Sequence, residues 1–349
     1  MRRTMMTFFQ SGTHEELECL LVQARSVCLR ALDQYELAWD CIHFIQLSDT
    51  ITYKIDTSRL KSYLLRIHSN RLSKEAIRSE LTLLQSLGTS DDLHVPQGVA
   101  SRDGSYVLSM EAEEAGMYFY ITMMNWVDGE HMDGNEVNKR CAYRMGSMAA
   151  KLHEATTRFV PSVDFDRPEW GEESFKVDMS KLSRYYTRFL SNQAWKTYQR
   201  ASHKILSQLA NLDQNPQHYG IIHGDLHIGN IVFNDEQPNP IDFGRCGYGY
   251  YLYDIANTIL GLFPAQRLEF IRGYESVRTL PRDYVEVLES FFIMCIIENY
   301  SHHSSDPREA SRLIDEQPYA QACIREYLMN TPFLFNEIEV QEVTEKFNI

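Results

Sequence analysis

The run His223-Gly-Asp-Leu-His-Ile-Gly-Asn230 and, shortly after it, Ile241-Asp242-Phe243-Gly244 hold the side chains best suited to chemistry. Asp225 is a candidate base, while Asn230 and Asp242 are candidate oxygen ligands for Mg²⁺. A positioned carboxylate beside a divalent cation is what moving a phosphoryl group from a nucleotide to a hydroxyl requires. An amide oxygen and a carboxylate are hard ligands, and Mg²⁺ would complete its octahedron with phosphate oxygens and water. Between the motifs, Ile231-Val232-Phe233 reads as a strand, 234–239 as a turn and Pro240-Ile241-Asp242 as the returning strand. Such a hairpin would bring Asn230 close to Asp242. A zinc site built on His223 and His227 competes with this reading. Gly224 and Gly229 argue for a loop rather than a helix face, and no third ligand has a suggestive spacing. The plainer alternative, a surface loop without chemistry, requires two separate motifs to match by accident.

The two motifs resemble the catalytic and metal loops of the aminoglycoside phosphotransferase and choline kinase family, relatives of the protein kinases. Protein kinases carry His-Arg-Asp followed by Asn, then Asp-Phe-Gly; the family form has glycine where Gly224 stands. The resemblance implies an α+β, bilobal, protein-kinase-like fold. Residues 1–124 would form a small antiparallel sheet lobe with one main helix, 125–129 a hinge, and 130–349 a larger, mostly helical lobe. ATP, with GTP left open as an alternative donor, would lie in the cleft with Mg²⁺. A hairpin of strands 41–47 and 51–55 would cover its phosphates. That hairpin contains no glycine, so backbone amides or the hydroxyls of Ser48 and Thr50 would make the contact. Arg66 stands where related kinases place a phosphate-gripping lysine; it keeps the charge and adds a planar fork. Met123, Met124 and Trp126 would neighbour the adenine at the hinge. His223 and Asp254 would support the catalytic loop, and Asp128, Trp170, Arg245 and Glu298 are candidates for contact with the acceptor.

The elements that must position these residues have their own signals. Thr13 and Glu16 form a capping box ahead of a helical repeat running to Leu32. Ser73 can cap a second helix, stapled by Leu72 and Ile77, whose buried stripe is Ile77, Leu81, Leu84 and Leu87 up to Gly88. Glu80 lies inside that stripe. A carboxylate there needs a partner, and Arg66, on the strand 62–68, is the obvious one. Strands are expected at 96–100, 106–110 and 117–126, with a charged turn over 111–116. Helices are expected at 137–153, 179–211, 264–275, 281–303 and 307–328.

Composition narrows the function further. The net charge of −14 argues against nucleic acid and against an anionic membrane surface. It suits a cationic small molecule, and Asp128, Glu130, Asp133, Glu136, Glu169, Glu172, Glu173 and Glu298 lie in segments where the family builds its substrate cleft. Seven cysteines without a CxxC pair fit free thiols in a reducing compartment. No convincing signal peptide or membrane span is present, so a cytoplasmic location is expected. No GxxxxGK[ST] run supports a P-loop mechanism. The expectation is a kinase for a hydroxyl on an amine-bearing small molecule, first an antibiotic, second a metabolite of the homoserine or choline kind. A non-catalytic nucleotide-binding regulator is the alternative from another class.

Overall fold

The computed structural model of the chain describes residues 14–48, 50–69, 72–90, 92–111 and 118–340. The chain forms two units, Met1–Asp128 with Phe159–Arg167, and Gly129–Arg158 with Pro168–Ile349. The return of Phe159–Arg167 to the first unit was not legible in the sequence. It is secured by Ser73 Oγ donating to Asp166 (2.9 Å), Asp166 N–H donating to Ser79 Oγ (2.9 Å) and Arg167 donating to the Ala76 carbonyl (3.1 Å).

The first unit contains α1 (His14–Leu32), β1 (Trp39–Leu47), β2 (Thr50–Thr57), β3 (Ser62–His68), α2 (Lys74–Leu87), β4 (Leu108–Glu111) and β5 (Tyr118–Asn125). The strands make one antiparallel sheet in the order β1-β2-β3-β5-β4. Strand alternation divides its residues between two faces. Ile51, Tyr53, Ile55, Leu65, Ile67, Phe119, Ile121 and Met123 join Ala24, Val27, Cys28 and Ala31 of α1 in one apolar cluster. The opposite face carries Thr52, Arg66 and Thr122 in cross-strand register, all buried. Helix α2 starts at its Ser73 cap, whose hydroxyl accepts from Ala76 N–H (2.9 Å), and it brings Glu80 to this polar face.

One expectation on this unit is revised, and others fall on residues that are not described. Residues 96–100 contribute one isolated bridge, Gly98 with Met124, rather than a strand, since Pro96 has no N–H to extend a ladder. Thr13, Asp49, Met117 and the turn residues 112–116 lie outside the described residues, as does the side chain of Glu16.

The second unit contains α3 (Lys139–Arg158), α4 (Glu172–Tyr185), α5 (Asn192–Leu209), β6 (Tyr219–Ile222), β7 (Ile231–Asn234), β8 (Gln237–Pro240), β9 (Gly247–Tyr250), α6 (Tyr251–Leu260), α7 (Pro264–Glu275), α8 (Tyr284–His303) and α9 (Ala310–Met329). The expected helix over 179–211 is two helices. The second restarts at Ser191, whose hydroxyl accepts from Ala194 N–H (3.1 Å). Helices α3 and α7 meet backbone to backbone at Gly146 and Gly273. A Cβ on Gly146 would strike the Phe270 carbonyl, and one on Gly273 the Tyr143 carbonyl.

The hairpin after Asn230 is tighter than expected. Asp235 (φ 49°) and Glu236 (φ 61°) both adopt the left-handed region, as a two-residue type I′ turn demands. β8 therefore begins at Gln237, and Ile241-Asp242 falls beyond it.

Arg66 and Glu80 form an ion pair with 4% and 1% of their side-chain surfaces exposed. Deleting one partner strands a buried charge, which costs about 3–5 kcal/mol. Urea unfolding of Arg66→Ala, Glu80→Ala and the double mutant should therefore show two large losses whose sum exceeds that of the double mutant. Strict additivity would show that the two side chains do not support one another.

Candidate active site

The residues of the expected catalytic loop hang from one helix. Asp254, fully buried on α6, accepts from the backbone N–H of His223 (2.7 Å) and of Gly224 (2.9 Å). One turn on, Thr258 Oγ donates to the Leu226 carbonyl (2.5 Å). Asp254 in turn accepts from Nε2 of His153 (3.1 Å), a fully buried residue of α3, whose Nδ1 meets the Tyr274 hydroxyl of α7 (2.9 Å). Burial holds His153 below its ordinary pKa, against the pull of Asp254, so the ring is neutral. The neutral ring donates from Nε2 and accepts at Nδ1. His153, Tyr274 and Thr258 were missed in the sequence because none lies in a motif.

Gly224 has no alternative at its position. Its φ is +75°, and a Cβ there would meet the Arg245 carbonyl and Trp170 Nε1. That carbonyl accepts from Trp170 Nε1 (2.8 Å), and the Arg245 guanidinium lies 4.3 Å over the same indole ring. Trp170 and Arg245 are thus packed against the loop as a stacked pair. Trp170 is also fixed through its own N–H on the Tyr248 carbonyl (2.7 Å).

Within the loop, Asn230 Nδ2 donates to both the carbonyl (2.9 Å) and the carboxylate (3.2 Å) of Asp225. Only the amide nitrogen can serve two oxygens, so Oδ1 is the atom left to offer a metal. Ile241 N–H donates to the Asn230 carbonyl (2.9 Å), which sets Asp242 one residue from Asn230 despite the shorter hairpin. Asp242 is exposed and left-handed (φ 59°, ψ 68°), a conformation that costs a non-glycine residue energy and is met at functional sites. His223 Nε2 is held on the Ile241 carbonyl (2.9 Å) with its ring against Phe243, and His227 Nδ1 accepts from Gly229 N–H (3.0 Å). Each bond takes one nitrogen of its ring, and among the described residues no group of three or more His, Cys, Asp or Glu side chains is placed to hold a metal, so a zinc site lacks its further ligands. The oxygen pair of Asn230 and Asp242 suits a hard cation such as Mg²⁺.

In the first unit, Ser48 N–H donates to the Thr50 carbonyl (2.9 Å), and the hydroxyls of Thr50 and Thr52 are 3.1 Å apart. His68, buried beside Arg66, meets the Thr122 hydroxyl at 2.9 Å, and burial drives its pKa well down. Of the methionine pair, only Met124 shares the polar face, with its sulfur 3.9 Å from Arg66 Nη2. Met123 belongs to the apolar cluster with α1, because neighbouring strand residues face opposite ways. It is therefore no neighbour of a base lying on the Arg66 face. The N–H groups of Asn125 and Trp126 are committed to the carbonyls of Gln97 (2.8 Å) and Ser62 (3.1 Å). Asp128 is exposed at the end of this unit.

The acids expected around a substrate mostly serve local structure. Asp133 and Glu136 accept from backbone N–H groups of their own turn. Glu169 accepts from Gln214 (2.9 Å) and Tyr219 (2.7 Å), and Glu172 and Glu173 both hold Lys176 (2.7 Å each). Glu298 differs from these. It is 6% exposed, and its Oε2 accepts from the Tyr253 hydroxyl (2.7 Å). Burial first, then Asp178, pushes its pKa up to about 8. Asp178 was missed, although its signal was present: it sits between Phe175 and Leu182 on the buried stripe of α4.

A five-stranded antiparallel unit, a helical unit and this loop define a protein-kinase-like fold. The chain belongs to the phosphotransferase enzyme family, whose model matches residues 46–287. Over 232 residues it is 24% identical to the amicoumacin kinase of Bacillus subtilis (strain 168), spanning 66% of each chain. Over 227 residues it is 30% identical to the uncharacterised protein sll1119 of Synechocystis sp., spanning 62% of this chain and 60% of that one. Among solved structures it resembles a microcompartment-associated aminopropanol kinase, with a TM-score of 0.76, 24% identity and coverage of 88% and 99% of the two chains. It also resembles the amicoumacin kinase hAmiN, solved with AMP-PNP, Ca²⁺ and Ami, with a TM-score of 0.73, 19% identity and coverage of 92% and 97%.

The raised pKa of Glu298 has a consequence for stability. Between its ordinary value of 4.5 and about 8, the folded state holds a proton that the unfolded chain has released. Stability must then fall as pH rises through that window. Measured against Glu298→Gln, which cannot titrate, the wild-type melting temperature should decline from about pH 5 to about pH 8 and then level off. Parallel profiles for the two proteins would show that Glu298 is ionised in the fold.

Proposed function

We propose that the chain is an ATP- and Mg²⁺-dependent O-phosphotransferase acting on a hydroxyl of a small amine-bearing molecule. The observation that carries this reading is the Asn230 side chain, bound through nitrogen to Asp225 so that its oxygen is free for a metal. In this reading Asp225 orients the acceptor hydroxyl and takes its proton, and Asn230 and Asp242 hold Mg²⁺. The metal would supply charge neutralisation on the phosphates. Arg66 holds the non-transferred phosphates, Glu80 holds Arg66, and Ser48 and Thr50 serve the phosphate loop. Because the Asn125 and Trp126 amides are committed, a donor to the base would come from Val127 or Asp128.

An antibiotic is the proposed acceptor, supported by the likeness to an amicoumacin kinase. A small metabolic amino alcohol is the second reading, favoured by the fold likeness to an aminopropanol kinase. The seven cysteines form no disulfide, which fits the reducing cytoplasm we propose as its location. Among the described residues, no helix is long and apolar enough to cross a membrane.

ADP release across a panel of hydroxyl acceptors tests the reading. With the best acceptor, Asp225→Asn should lower kcat by about 10²–10⁴ while leaving nucleotide binding nearly intact. Asp242→Ala should instead remove Mg²⁺-dependent nucleotide binding. Full activity in Asp225→Asn would sink the assignment, and failure of every acceptor would leave the nucleotide-binding regulator as the better reading.

A further inference from the structure

Glu80 meets Arg66 through one carboxyl oxygen. Its other oxygen, Oε2, is buried and has no hydrogen-bond partner among the described residues. A single bond fixes a carboxyl group less firmly than a bidentate pair would, so the backbone of α2 must set where Glu80 stands. That backbone is held from outside the helix, by the segment Phe159–Arg167. The anchors fall at Ser73, Ala76 and Ser79, three residues apart and so on one side of the helix. Arg167, 9% exposed, donates to the Ala76 carbonyl (3.1 Å), the group that takes the Glu80 N–H in a regular helix. Asp166 N–H donates to Oγ of Ser79 (2.9 Å), the residue before Glu80, and that hydroxyl donates to the Glu75 carbonyl (2.9 Å). The Asp166 carboxylate accepts from the capping Ser73 (2.9 Å), where negative charge suits a helix N-terminus. The segment braces itself: the rings of Phe159 and Phe165 lie 5.3 Å apart, and Phe165 N–H donates to the Ser162 carbonyl (3.0 Å). Burial first, then Arg66 and Arg167, keeps the His68 imidazole neutral, so Arg167 reaches the same polar face as Arg66.

We propose that Arg167 and Asp166 are positioning residues for the nucleotide: they clamp α2 where Glu80 meets Arg66, and so set the affinity for ATP. The inference rests on the proposed role of Arg66 at the phosphates. Neither residue is assigned a contact with nucleotide or acceptor; each acts through the helix. Loss of an anchor leaves the stripe Ile77, Leu81, Leu84 and Leu87 buried, so α2 stays folded while its placement loosens. A pair held by one oxygen tolerates little displacement, because hydrogen bonds weaken steeply away from their preferred geometry. Arg66 then spends part of its time out of place, and the phosphates lose a preorganised cation.

The test uses the full chain with two backgrounds and two readouts. Arg167→Ala removes the bond to Ala76. Ser79→Ala removes the acceptor of the Asp166 N–H and is the milder change, which carries the test if the first variant unfolds. The first readout is urea unfolding of a cycle of Arg66→Met and Glu80→Gln, substitutions that keep side-chain volume. The coupling between the two should shrink in both backgrounds relative to the wild type. The second readout is kinetic. The KM for ATP should rise about tenfold, the scale of one hydrogen bond to a charged group, while the KM for the acceptor stays within about twofold. Arg167→Lys, which keeps a charged donor, should recover most of the loss. Undiminished coupling in both backgrounds would overturn the proposal. So would an unchanged KM for ATP, or an equal rise in both KM values, which marks a general loss of packing. Failure of the kinase reading looks different. A wild-type protein that binds no ATP in calorimetry, with coupling still lost in Arg167→Ala, would keep the clamp on the ion pair and remove the nucleotide; phosphate transfer with coupling intact would do the reverse.

Discussion

One buried carboxylate sets the geometry of the helical unit. Asp254 receives two backbone N–H groups of the catalytic loop and the imidazole of His153, so it fixes where the loop begins and how it is oriented. A fully buried acid is tolerable only when donors surround it, and these three come from two separate parts of the chain. The backbone contact between α3 and α7 is what allows it. Gly146 and Gly273 let the two helices approach closely enough for His153 and Tyr274 to meet, and that pair completes the support beneath Asp254. A side chain at either glycine would push the helices apart and shift a hydrogen-bond chain that ends at the loop.

The first unit solves a similar problem with a different balance. Its sheet has one face for the apolar cluster and one for Thr52, Arg66, Thr122 and His68, so polar groups are buried without entering the core. Arginine in place of lysine matters here. A guanidinium is weakly hydrated and planar, so it tolerates burial against Glu80 and Met124 better than a strongly hydrated ammonium. His68, held neutral by burial and by the cations beside it, adds no charge to this face.

What the sequence disclosed follows from range. Ser73 with Glu80 inside the α2 stripe, the extent of β3, and the tandem motifs at 223–230 and 241–244 are local patterns, and local physics reads them. The pairing of β6 with β9 and the return of Phe159–Arg167 depend on contacts distant in sequence, so no periodicity announces them. The hairpin turn was misjudged because Asp235 and Glu236 lack the glycine that usually marks a type I′ turn. Asp178 was legible in principle: it breaks an apolar stripe just as Glu80 does. The acidic runs drew attention away from it. Within Glu169–Glu173, Glu172 and Glu173 pair with Lys176 a turn away, and Glu169 accepts hydrogen bonds from Gln214 and Tyr219.

The bonding of the loop over 223–230 also fixes which side-chain oxygens it presents. Several of its backbone groups are matched: the amides of His223 and Gly224 with Asp254, the Asp225 carbonyl with His227 N–H and Asn230, the Leu226 carbonyl with Thr258. The carbonyl of His227 takes Asn230 N–H, that of Asn230 takes Ile241 N–H, and that of Ile241 takes His223 Nε2. Asn230 turns its nitrogen to Asp225 and keeps Oδ1 outside that bond, while Nδ1 of His223 is buried without a hydrogen-bond partner among the described residues. Oδ1 of Asn230 and the carboxylate of Asp225 are acceptor oxygens, complementary to a metal cation. These side chains therefore favour a metal-bound phosphate over a bare one.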